Sequence, residues 1–188
     1  GYSPYRKLPG LLNKLIRFET FHSALQYLSF ALAGQPYMGV GRNLSYKKNL
    51  FFKNKGFSSV NHLPGGDEYL FINQVASRSN TRIVIDPESF TLSEPKKSFR
   101  DWVKQKSRHY STGKFYRPGQ KWVLGIYSLS QFLFYPAFII SLVYGPWIWT
   151  LAVFGLRFII QGIVYFRTMK KLNESDLYPF WCLLDIWM

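Results

Sequence analysis

The sequence predicts an α/β segment followed by membrane-spanning α-helices, and three observations carry that prediction. No charged residue occurs between Lys121 and Arg157, a stretch longer than the roughly 20 apolar residues that a membrane span needs. Upstream, apolar residues recur at helical spacing over residues 10–33: Leu11, Leu12, Leu15 and Ile16, then Phe18, Leu25, Leu28 and Leu32. Between these regions the unbroken Ile83-Val84-Ile85 of TRIVIDP reads as a short buried strand. The mean hydropathy of −0.09 averages two unlike halves.

The first helix, over 10–33, ends before Gly34 and Pro36. Residues 38–48 read as a turn and a short strand, and 50–56 as a short helix closed by Gly56. A helix over 67–78 follows Gly65 and Gly66, and the strand over 81–87 comes next. Residues 98–110 form an amphipathic helix with Phe99, Trp102 and Val103 on one face. Two spans, 122–144 and 147–166, are separated by the turn signal Tyr144-Gly145-Pro146.

Formal charge is +14 over 188 residues. Basic residues crowd into 96–121, interleaved with Phe99, Trp102, Tyr110, Phe115 and Tyr116. Such a segment suits an anionic leaflet or a phosphate backbone. Directly before a span it is assigned to lipid, and nucleic acid is set aside. Lys114, Arg117 and Lys121 precede the first span, and Arg167, Lys170 and Lys171 follow the second. The positive-inside rule therefore puts both ends in the cytoplasm, with Trp122, Trp147, Trp149 and Tyr165 as interfacial anchors. Cys182, the single cysteine, excludes an internal disulfide. The chain starts at Gly1 and stops within an apolar run, so it is read as a fragment.

Chemistry centres on two motifs. In GGDEYLFINQ, Asp67 starts a helix, where backbone N–H groups favour a carboxylate as an N-cap or as a base. Some way downstream, Gln105 and Arg108 stand at i and i+3, a spacing that shares a helix face. An amide and a guanidinium together bind a diphosphate and stabilise it as it leaves. Taken singly, each motif also reads as ordinary helix chemistry: a capped terminus and a solvated basic face.

In order, and followed by membrane spans, the motifs resemble the C-terminal half of a processive-type family 2 glycosyltransferase, related to cellulose, chitin and hyaluronan synthases. Gly41-Arg42-Asn43 resembles the family's Gly-x-Asn segment, and Gly65-Gly66-Asp67 its acid motif. Gln105-Lys106-Ser107-Arg108-His109 resembles its Gln-x-x-Arg-Trp helix, with His109 in place of tryptophan. The resemblance implies a partial GT-A-like nucleotide-diphospho-sugar transferase domain over 1–95 and a basic interfacial segment over 96–121. Two transmembrane helices follow over 122–166, then a cytoplasmic link and the start of a further apolar helix over 167–188.

The resemblance further implies Asp67 as the catalytic base, with the adjacent Glu68 as second candidate. It implies Gln105, Arg108, His109, Asn43 and Arg42 as substrate-binding residues. The full enzyme would transfer a sugar, with inversion, from a nucleotide-sugar donor to a glycan or lipid-linked acceptor. A divalent metal, Mg or Mn, is expected, but its Asp-x-Asp motif does not occur in these residues, so the fragment alone is expected to be inactive. The expected location is a bacterial inner membrane, multi-pass, with the catalytic part cytoplasmic. The alternative is a non-catalytic scaffold whose basic helix binds anionic lipid or a partner. His22, His62, His109 and Cys182 are too dispersed to propose a zinc site. Arg157 falls within a span, where a charge marks either a polar path or a structural partner. Glu19, in a helix rich in apolar residues, is placed on the surface, with the active-site cleft as the alternative.

Overall fold

The architecture depends on one helix with no solvent face. In the computed structural model, which describes residues 1–58 and 66–187, α1 spans Leu11–Leu32 and buries Ile16, Arg17, Phe18 and Glu19 in succession. A helix buried on every side belongs in the middle of a packed unit. It ends in a Schellman turn: Gly34 adopts φ 81°, and the Gln35 N–H donates to the Phe30 carbonyl at 2.8 Å.

Further along lie α2 (Lys48–Lys53), α3 (Asp67–Val75) and α4 (Phe99–Ser111). Then come α5 (Pro118–Tyr144), α6 (Trp147–Lys171) and α7 (Trp181–Trp187). The sequence-derived helices are all present, with shifted ends. The strands are not. No strand or sheet occurs among the described residues, so the expected GT-A-like α/β domain over 1–95 is not what this chain builds.

The physical reason lies in what surrounds TRIVIDP. Ile83 and Ile85 insert into the helical core, while Val84 is 49% exposed. The run is extended and alternates as a strand does, yet helices flank it and no described segment pairs with its backbone. The remaining β-type contact is an isolated parallel bridge, Tyr5 to Ser93.

α5 and α6 are both long and apolar enough to cross a membrane. At about 1.5 Å per residue, their 27 and 25 residues exceed the roughly 30 Å of a hydrocarbon core. Their most apolar stretches are almost uncovered, while the C-terminal end of α6 supplies Tyr165 and Met169 to the core. Gly145 and Pro146 break the chain between them. The hairpin closes through stacked rings, Phe138 on Phe154 at 4.1 Å, and through Ser141 and Thr150 at 2.9 Å. Arg157 finds partners inside it. Its Nη2 donates to Gln131 at 2.9 Å, and the guanidinium lies 3.5 Å from the Phe134 ring centre.

The end of α6 turns back onto α1. Asn173, at φ 59°, closes a second Schellman turn, in which the Glu174 N–H donates to the Met169 carbonyl at 2.8 Å. This delivers Glu174 and Asp176 to Arg17, which is 2% exposed. Arg17 Nε donates to Glu174 at 2.9 Å and Nη1 to Asp176 at 2.8 Å, while Nη2 contacts both. Around the cluster pack Phe18, Phe21, Tyr165, Met169, Leu177 and Trp181. Burial pushes the Glu174 carboxyl up from its ordinary value. The Arg17 hydrogen bonds hold Asp176 well below the usual range, against its partial burial.

These opposite shifts predict an acid limb of known sign. A carboxyl depressed in the folded state stabilises the fold above its unfolded pKa, about 3.9 for Asp, and loses that contribution as pH falls. Glu174, being raised, acts with the opposite sign. Thermal melts of the detergent-solubilised protein should therefore lose melting temperature below about pH 4. Asp176→Asn should melt lower at neutral pH and show a flatter acid limb. Parallel acid limbs in the two proteins would remove Asp176 from this role.

Candidate functional site

A cavity of about 590 Å³ lies at the junction of the helical unit and α5, and five elements supply most of its polar lining. α1 contributes Glu19, Ser23 and Gln26, spaced i, i+4, i+7 on one face. α5 contributes Lys121, Leu124, Gly125 and Ser128, again one face. α3 supplies Glu68 and Tyr69, the short 3-10 turn Gly41–Asn43 supplies Gly41 and Arg42, and α4 supplies Gln105, Lys106 and His109.

The rotation of α4 decides which of its residues reach this space. Ser98 caps the helix, accepting from the Asp101 N–H at 3.1 Å. Trp102 is the buried residue of α4 and packs with Tyr5 and Ile16. Gln105, Lys106 and His109 stand three, four and seven residues beyond Trp102, so they share its face. Arg108, six residues on, turns to the outside and is exposed. Gln105 and Arg108, expected together from their spacing, therefore part company. The i, i+3 offset of about 60° straddles the edge of the buried face.

The acid motif divides in the same way. Gly66, at φ 84°, is the N-cap of α3, and Asp67 and Glu68 occupy the first turn. Glu68 lines the cavity; Asp67 does not. Gly41 makes room for Glu68: a Cβ built at Gly41 would lie 2.7 Å from Glu68 Oε1. Gly65 and His62 lie outside the described residues. Arg42 faces the cavity with its guanidinium 4.4 Å from the Tyr5 ring centre, and its Nη1 is buried without a hydrogen-bond partner. Asn43 works as a structural brace. Its amide donates to the carbonyls of Tyr2 at 2.6 Å and Ser89 at 2.9 Å.

Glu19, expected on the surface, is 3% exposed and stands in the cavity wall. Ser23 donates to its Oε1 at 3.0 Å, and Lys106 is ion-paired with its Oε2. Glu19 is three residues beyond Ile16, on the face that meets α4, and Lys106 is four beyond Trp102. Ile16 with Trp102 and Glu19 with Lys106 form successive rungs between the two helices.

Burial and the Lys106 charge lower the His109 pKa below its ordinary value, which favours the neutral imidazole at pH 7. Burial raises those of Tyr27, Tyr37 and Tyr69, so the cavity phenols remain hydroxyl donors. The wall thus combines two carboxylates, two lysines, a guanidinium, amides and neutral phenols. No group of three His, Cys, Asp or Glu side chains among the described residues comes together to hold a metal, so this donor set does not fit a divalent cation. Comparison of the chain with protein-family profiles, curated proteins and solved structures gives no match.

One buried amide ties the cavity to the base of α5. Asn73 Nδ2 donates to the Tyr37 carbonyl at 2.9 Å and to Gln120 Oε1 at 2.5 Å. Its Oδ1 accepts from the Arg117 N–H at 3.0 Å. Asn73→Ala should destabilise the protein by about 1–3 kcal/mol, because it strands buried polar groups on three segments. Chemical denaturation in detergent measures this; a change below about 0.5 kcal/mol would mean that the joint is not structural.

Proposed function

We propose that this chain supplies the acceptor side and the general base of a membrane-integrated, inverting glycosyltransferase. The full enzyme transfers a sugar from a nucleotide-sugar donor to a glycan or lipid-linked acceptor at the cytoplasmic face of a bacterial inner membrane. One observation carries the reading. Arg42, Glu68 and the Gln105/His109 pair come from three separate motifs and converge on one cavity at the foot of an apolar helix. The reading rests on this convergence and needs no α/β fold in these residues.

Glu68 is the base in this proposal, because it is the acid-motif carboxylate on the cavity wall. It takes the proton of the acceptor hydroxyl. The freed oxygen lone pair forms the new bond to the anomeric carbon while the bond to the nucleoside diphosphate breaks on the opposite face, which inverts the centre. Gln105 and His109 hold the acceptor, and Arg42 offers its unpartnered Nη1 to an oxygen of either substrate. The divalent cation belongs to donor-side residues outside this set, and no step here passes through it.

A second reading has its own support. Arg100, Lys104 and Arg108 are exposed on α4, beside the exposed Val103. A basic, partly apolar outer face suits an anionic leaflet. It makes α4 a membrane-surface element whether or not its inner face serves a reaction.

In the full-length protein, Glu68→Gln should lower turnover by about 10²–10⁴ with donor binding retained. Asp67→Asn should remain within a few-fold of wild type. Transfer assays with donor titration measure both, and the opposite ranking would return the role to Asp67.

Orientation has a separate test. With Cys182 changed to serine, a cysteine introduced by Gly145→Cys should react with an impermeant thiol reagent on intact cells. One introduced by Ser111→Cys should react only after permeabilisation, since basic flanks stay inside. The reverse pattern would put the cavity on the side opposite to cytoplasmic nucleotide sugars and end the glycosyltransferase reading.

A further inference from the structure

A buried carboxylate on α1, outside all the motifs, has acceptor capacity that the protein does not use. Ionised, it offers about four lone-pair sites. Ser23 occupies one at Oε1, and Lys106 answers Oε2. Each oxygen thus has one partner of the two it can take, and Glu19, 3% exposed, lines a cavity of about 590 Å³. Desolvating a carboxylate is costly, and apolar side chains of similar volume commonly replace buried ion pairs without loss of stability. A pair left incompletely satisfied at a cavity wall therefore points to a ligand that completes it.

The surroundings select the ligand's chemistry. Tyr5, Tyr27, Tyr37 and Tyr69 line the cavity, the last three with hydroxyls that burial keeps protonated, while Gln26 and Gln105 add amides. Apolar faces alternating with hydroxyls are the features of a sugar ring, and carboxylates and amides are the groups that bond paired hydroxyls. Beside Glu19 itself an anionic ligand is disfavoured, because Lys106 is already neutralised by that carboxylate; the other cations of the wall, Arg42 and Lys121, stand on other segments.

We propose that Glu19, held by Lys106, is a specificity-determining residue that binds adjacent hydroxyls of an uncharged acceptor sugar. This rests on the glycosyltransferase reading above and adds to it the acceptor class and a residue outside the motifs. Glu19 acts in recognition and Glu68 in proton transfer, so the two should separate in kinetics.

The test uses the full-length protein in detergent, with cellobiose, N,N′-diacetylchitobiose and maltose as probes and inorganic phosphate as the anion control. Binding is followed by saturation-transfer NMR. Wild type should take up at least one disaccharide in preference to phosphate. Glu19→Gln should weaken that binding roughly tenfold or more, since it loses a charge-assisted hydrogen bond. In transfer assays it should raise the acceptor KM with kcat within a few-fold, whereas Glu68→Gln should lower kcat. Lys106→Gln should weaken binding in the same direction, and Glu19→Asp should restore part of it.

A structural pair would behave differently. Loss of melting temperature in Glu19→Gln with unchanged affinity and KM would overturn the inference and leave the glycosyltransferase reading standing. Stronger phosphate binding in Glu19→Gln, with no effect on disaccharides, would overturn it in favour of an anion site. No disaccharide uptake by wild type would sink the acceptor-side reading itself, and this inference with it.

Discussion

Arg17 is the constraint on which the remaining structure depends. A guanidinium that is 2% exposed must be answered in full, because an unpaired buried charge costs several kcal/mol. Its partners lie 157 and 159 residues away, at Glu174 and Asp176, and they arrive by a sharp left-handed turn at Asn173. Satisfying Arg17 therefore fixes where the α5–α6 hairpin sits against α1. Tyr2 adds a hydrogen bond to Glu174 at 3.0 Å, and Lys7 pairs with Asp176 at 2.8 Å. With those contacts made, Phe18 and Phe21 meet Tyr165 edge-on at 6.0 and 5.4 Å.

The same turn of α1 also builds the cavity. Residues two apart on a helix point about 200° away from each other. Arg17 therefore reaches the chain after α6, while Glu19 reaches α4. The two ion clusters differ in a way that matters for function. Arg17 spends its fork on two carboxylates and leaves no opening, the pattern of a structural clamp. Glu19 meets one hydroxyl and one ammonium and borders empty volume. A closed cluster holds a fold together, whereas an open one is poised for something else.

Much of this was legible in the sequence, and the failures have definite causes. The charge-free stretch and the Gly145-Pro146 break located both apolar helices, because span length and helix breakers are local properties. Ile83-Val84-Ile85 misled because an unbroken apolar run reports only that a segment packs, and here Ile83 and Ile85 pack against helices while Val84 is 49% exposed. Whether a neighbouring backbone pairs with the run is a tertiary fact, and here helices occupy the flanks. At the site, residues of three motifs line one cavity, but spacing alone does not say which of their faces turn to it. Spacing says that Gln105 and Arg108 are near each other; only the phase set by buried Trp102 says which one points inward. Glu19 escaped because α1 has no polar face against which a lone acid stands out.

The cavity's position against α5 shapes what can reach it. Lys121, Leu124, Gly125 and Ser128 form its wall, yet Trp122, on the other side of the same turn, is 74% exposed and marks the start of the apolar length. Asn73 and Gln120 lock that turn to α3 and to the Pro36 carbonyl, so wall and span entry move as one body. α4 repeats the arrangement, with Gln105, Lys106 and His109 inward and Arg100, Lys104 and Arg108 outward. Two helices thus each give one face to the cavity and another to the level where a bilayer would begin. A soluble substrate needs no such arrangement. In the proposed reading, an acceptor tethered to the membrane gains from one, because one end is held at the boundary while the rest stays in its own phase.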